Sequence, residues 1–88
     1  SPLKRFMNYK ELHYGNDEMF VVSFQARKTK NGANMATMIV ADAGRELKPI
    51  VVFQSKFAEA YIKIDAGKAY KINYSLSKTG DMVFEGVK

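Results

Sequence analysis

Ser55-Lys56-Phe57-Ala58-Glu59-Ala60-Tyr61-Ile62-Lys63-Ile64 is the stretch in which the apolar residues change from a period of two to a helical spacing. Phe57, Ala60, Tyr61 and Ile64 fall at i, i+3, i+4 and i+7, which sets them on one side of a helix. Ser55 is the expected N-cap, because its hydroxyl can accept from a first-turn N–H, and Gly67 is the expected stop. On both sides of this segment the period is two. Where a single helix falls among strands decides the architecture.

Upstream, Phe20, Val22, Phe24 and Ala26 alternate with Val21, Ser23, Gln25 and Arg27, the pattern of a strand with one buried face. Thr29-Lys30-Asn31-Gly32 then reads as a hairpin, since Asn and Gly both tolerate positive φ. Met35 to Ala41 forms a second strand, apolar on both faces. Asp42-Ala43-Gly44 is the next turn, and Leu47 to Phe53 the third strand. Pro49 lacks a ladder N–H and should lie at an edge, a bulge or the strand's start. Downstream, Tyr70, Ile72, Tyr74 and Leu76 alternate with Lys71, Asn73, Ser75 and Ser77. Lys78-Thr79-Gly80-Asp81 makes a loop, and Met82 to Val87 is the last strand. The inward alternation places Phe20, Phe24, Tyr70, Tyr74 and Phe84 in the core, with Phe57 and Tyr61 on the helix stripe.

Three strands, one short helix and two strands are the element order of an all-β OB-fold. This is a five-stranded Greek-key barrel whose helix sits between strands three and four. Barrels of the SH3 type usually lack an amphipathic helix at that point. Residues 19–88 make up the OB-fold domain, and residues 1–18 an N-terminal arm or linker. In the arm, Leu3, Phe6, Met7 and Tyr9 suit packing along an edge, and Tyr14-Gly15-Asn16-Asp17 turns the chain into the barrel.

A chain of 88 residues holds one compact domain, and 47% apolar with 26% charged residues is ordinary globular usage. No apolar run is long enough to span a bilayer and no signal-peptide pattern opens the chain, so a cytoplasmic location is expected. With no cysteine there is no disulfide framework, thiolate metal site or cysteine nucleophile. His13 is the single histidine and has no catalytic partner in sequence. The glycines at 15, 32, 44, 67, 80 and 86 build no P-loop or dinucleotide fingerprint. Asp17 and Glu18, beside a turn, read as solvated carboxylates rather than metal ligands. The expectation is a binding module with no catalytic residue, no metal and no cofactor.

Charge points to the partner. Fourteen Lys and Arg against nine Asp and Glu give a net +5. No acidic residue occurs between Glu18 and Asp42, and Arg27, Lys28 and Lys30 lie within that gap. A groove for single-stranded nucleic acid needs cations that track phosphates and aromatic faces that stack on bases. An OB-fold sets this groove across its second and third strands, between the first and fourth hairpin loops. The candidate binding residues are therefore Arg27, Lys28, Lys30, Asn31 and Asn34 around the first hairpin and Lys78 in the fourth. Lys48 and Phe53 on the third strand and Lys71 on the fourth complete the set. Phe53 is the candidate stacking ring, and Met35, Thr37 and Met38 line the second strand.

Lys28-Thr29-Lys30-Asn31-Gly32, then Met35-Ala36, Asp42, Gly44, Val51-Val52-Phe53 and Phe57 resemble a known pattern. It is that of the OB-fold nucleic-acid-binding domain of the bacterial DNA polymerase III alpha subunit, a family C replicative polymerase. Such domains show Thr-Lys-Lys-Gly-x-x-Met-Ala, an acidic residue and a glycine at the second hairpin, and Val-Val-Phe before the helix. The resemblance spans about residues 19–87, and the anticodon-binding OB domains of aminoacyl-tRNA synthetases share the looser pattern. It implies a domain that holds single-stranded template DNA, with RNA as an alternative ligand. Its partners would be other polymerase domains or replisome subunits, and catalysis by a DNA-directed DNA polymerase would lie outside this chain. The competing expectation is an OB-fold that docks protein within a replication or translation complex. A basic stripe joining the hairpins would favour the first, and an exposed apolar patch the second.

Overall fold

The structure is a computed structural model that describes residues 3–5 as backbone and residues 14–88 in full. Its elements are β1 (Leu3–Arg5), β2 (Met19–Lys28), β3 (Asn34–Ala41), β4 (Leu47–Val52), α1 (Gln54–Lys63), β5 (Ala69–Tyr70), β6 (Ile72–Leu76) and β7 (Met82–Val87). Strands β2, β3 and β4 form an antiparallel meander. After α1 the chain crosses over, so that β7 runs parallel to β4 and antiparallel to β6. β5 returns to pair with the start of β2, nearly closing the barrel. This is OB-fold connectivity, with the helix between the third and fourth barrel strands as expected.

Two features exceed the expected five strands. Leu3–Arg5 of the arm pairs antiparallel with Ser23–Gln25 and adds a sixth strand at the edge of β2. The fourth barrel strand is interrupted at Lys71, so β5 pairs with β2 while β6 pairs with β7. Phe6, Met7, Tyr9 and His13 lie outside the described residues.

The core departs from simple alternation along β2. A bulge between Val21 and Ser23 shifts the register against β3. Val21, Phe24 and Ala26 therefore point into the barrel with Met38, Val40, Ile50, Val52 and Phe84. Phe20 and Val22, expected inward with Phe24, instead join Ala41 in a second cluster on the opposite face. Tyr14 covers that cluster by stacking on Phe20 at 5.9 Å and donating its hydroxyl to the Asp42 carbonyl at 2.7 Å. A bulge adds one residue and so exchanges the two faces of everything before it. That is why the expectation for Phe20 failed while that for Phe24 held.

Helix α1 closes one end of the barrel with Ala60 and Ile64, both fully buried. It begins two residues earlier than expected. Phe53 is the N-cap, no side chain caps the turn, and Ser55 lies inside the helix. After the helix, Gly67 adopts φ +94° and donates its N–H to the Val21 carbonyl at 2.8 Å. Val21 in turn donates to the Lys68 carbonyl at 3.0 Å, which ties this turn to β2 just before β5 pairs there. Pro49 lies one residue before β4 meets β7, so its missing N–H breaks no ladder on that edge. Tyr74 and Leu76 face the same side as Phe84 and Met82 but remain 45% and 66% exposed. Among the described strands β6 pairs only with β7, and no neighbour covers them from the other edge.

Candidate nucleic-acid interface

Three hairpin loops share one construction, and it fixes where the lysines stand. In Thr29-Lys30-Asn31-Gly32-Ala33 the Thr29 N–H donates to the Ala33 carbonyl at 2.9 Å, and the Gly32 N–H to the Thr29 carbonyl at 3.0 Å. The Thr29 hydroxyl accepts the Ala33 N–H at 3.2 Å. Ser77 to Asp81 repeats all three bonds, with the Ser77 hydroxyl in the accepting role. So does Asp42 to Glu46, where the Asp42 carboxylate accepts from Gly44 and Glu46. The fourth residue of each loop takes positive φ: Gly32 at +81°, Arg45 at +65° and Gly80 at +86°. Asn31 does not, although the tolerance of both Asn31 and Gly32 for that conformation is what predicts the hairpin. Lys30 and Lys78 are thus the second residues of equivalent loops, both exposed.

The two loops stand at opposite ends of the sheet. The first leads into β3 beside the end of β4, where Ala36 pairs with Val52. The other leads into β7 from the opposite direction, where Met82 pairs with Ile50, the fourth of the six residues of β4. From Pro49 to Phe53 the strand alone covers about 13 Å. Between them lies the outer face of β3 and β4, on the side away from the core. It presents Met35, Thr37 and Ile39 from β3, and Leu47, Pro49, Val51 and the following Phe53 from the other strand. None of these side chains is charged.

The cationic end of this face is compact. Arg27 lies opposite Met35, and its Nη1 donates to the Thr37 hydroxyl at 3.0 Å, which lays the guanidinium along the sheet. Phe53, next in register beyond Val52, is 47% exposed. Lys28 closes β2 opposite Asn34, and Lys30 and Asn31 follow in the loop, all exposed. Lys28 and Lys30 have no ion pair among the described residues. Lys56, which sequence reasoning passed over, stands in the first turn of α1, where no acidic residue occurs. The signal for it was its spacing, three residues past an exposed ring.

The other expected cations are engaged elsewhere. Lys48 lies opposite Val40, on the core side of β4, and pairs with Asp42 at 3.1 Å. The Asp42 carboxyl is held below its usual range by the Glu46 N–H first and then by the Lys48 ammonium. The Lys48 ammonium is raised by the same hydrogen bond. Lys71 pairs with Asp17 at 3.4 Å, beyond β5. The structure therefore gathers Arg27, Lys28, Lys30, Asn31, Asn34 and Phe53 at one end and separates Lys48, Lys71 and Lys78 from them. Met38, offered with Met35 and Thr37, is buried core. Among the described residues no His, Asp or Glu cluster suits a metal ion. Among the same residues no helix is long and apolar enough to cross a membrane. No family model matches the chain, and comparison with curated proteins and with solved structures returns no match.

Proposed function

We propose that this chain is a single-stranded nucleic-acid-binding OB domain of a replicative DNA polymerase alpha subunit, holding template strand for a catalytic centre carried by other domains. One observation carries the reading. A half-exposed phenylalanine ring, Phe53, shares a sheet face with a guanidinium pinned by Thr37, at the end of the barrel where Lys28 and Lys30 project. A ring to stack on and cations to meet phosphates are the two requirements for gripping a single strand without reading its sequence. The chain supplies binding and no catalytic group, and binding is weak because one ring stacks.

Titration of the domain into a fluorescent oligonucleotide at low and physiological salt, with a duplex control, tests this reading by anisotropy. Preference for the single strand and a steep loss with salt are expected. Replacing Lys28 and Lys30 by alanine should lower the magnitude of the salt slope by about one to two units. An unchanged slope contradicts the assignment of this hairpin. A second reading, docking of protein, draws on Ile39, Leu47, Pro49 and Val51, an apolar patch without charge on the same face. Failure to bind any strand at low salt would favour it.

A further inference from the structure

Building on the single-strand reading, we propose that the site accepts a short segment, about four nucleotides or fewer. That is the lower limit of the range for one OB domain, about 4–16 nucleotides. The argument is one of charge and stacking along the face. Its cations sit at one end: Arg27, Lys28 and Lys30, with Lys56 in the adjoining helical turn. Its exposed ring, Phe53, sits at the same end. From Val51 through Pro49 to Leu47 the strand offers neither charge nor ring on this face. Beside Ile39 the Tyr14 ring is already engaged, stacked on Phe20 at 5.9 Å with the Arg45 guanidinium 4.3 Å from its centroid. Lys48, the cation that would have continued the track along β4, is turned to the core side and held by Asp42 at 3.1 Å. Lys78 waits at the far end of that uncharged stretch. A strand leaving Phe53 would cross it with its phosphates unmet. The hairpins are alike in construction but not in role: Lys30 binds and Lys78 does not.

A length series of 5′-labelled oligothymidylates of 3, 4, 6, 9 and 12 nucleotides, titrated at low salt, tests this. The affinity is divided by the number of registers each length offers, since overlapping sites alone strengthen apparent binding. The expected result is a per-register affinity constant within twofold from 4 to 12 nucleotides. Its salt slope should lie near −2 to −3, about −0.7 for each of three or four cations. Lys30→Ala should weaken binding severalfold at every length, and Lys78→Ala should change it less than twofold. A per-register affinity that climbs tenfold between 4 and 9 nucleotides, with Lys78→Ala abolishing the climb, overturns the short footprint and leaves the single-strand reading intact. Absence of binding at every length, with the domain folded, overturns both.

Discussion

A phenyl ring 47% exposed at the last position before a helix adds little to folding, because it removes little apolar area from water. Its value lies in what can lie upon it. Phe53 is also the N-cap of α1, a place where Ser, Thr, Asp or Asn would serve the helix better. The residue therefore forgoes local stability at the point where it faces the cationic end of the sheet. Base stacking is worth about 1–3 kcal/mol per base by alanine substitution. Phe53→Ala should then weaken single-strand binding about 5- to 150-fold while leaving the urea midpoint close to that of the parent. Equal binding by both proteins would show that the ring is not a stacking surface. The ring itself was legible in the sequence, because Val-Val-Phe precedes a period change. The state of the lysines was not: which side of a strand Lys48 takes depends on the β3–β4 register, and its partner Asp42 lies across a turn.

Strands and hairpins carry the next layer. The alternation in residues 70–76 and the helical spacing in 55–64 placed a strand and a helix because each has a single period. They did not place the break at Lys71 or the N-cap at Phe53, which no change of period marks. β2 resisted the same treatment because its first half is apolar on both faces. A pattern without contrast cannot reveal a one-residue bulge, so Val21 and Phe20 exchanged places between core and outer cluster. The β3–β4 hairpin had a readable turn but an unreadable use. Its Asp42 carboxylate accepts two loop N–H groups and the Lys48 ammonium, lowering its pKa from the ordinary 3.8. A carboxyl with a folded pKa below its unfolded one contributes stability that is complete above the unfolded value. That contribution fades as pH falls through the folded value. The stability difference between the parent and Asp42→Asn, followed by urea unfolding, should therefore be constant from pH 7 to about 5 and shrink below about 4. A difference unchanged down to pH 3 would mean that the carboxylate charge does not stabilise this hairpin.

At the scale of the whole molecule, element order was enough to give the barrel, because a helix between the third and fourth strands leaves few closed arrangements. The candidate site was half legible. Arg27, Lys28 and Lys30 are adjacent in sequence and stay adjacent in space, whereas Lys48, Lys71 and Lys78 depended on long-range pairing to say where they point. The net charge of +5 is a property of the chain, but only a part of it faces the sheet. The outer face is divided: Arg27, Lys28, Lys30 and the exposed Phe53 ring stand at one end, and toward Leu47 it is apolar, with the Arg45 guanidinium folded over the Tyr14 ring at 4.3 Å. The most direct test of this division is an amide chemical-shift titration of isotope-labelled domain with a short single-stranded oligonucleotide at low salt. The account predicts the largest shifts at Arg27 to Asn34 and at Phe53 to Lys56, with Leu47, Lys48, Lys71 and Lys78 unmoved. Shifts centred on Leu47 and Lys78, with the Arg27 hairpin silent, would contradict it.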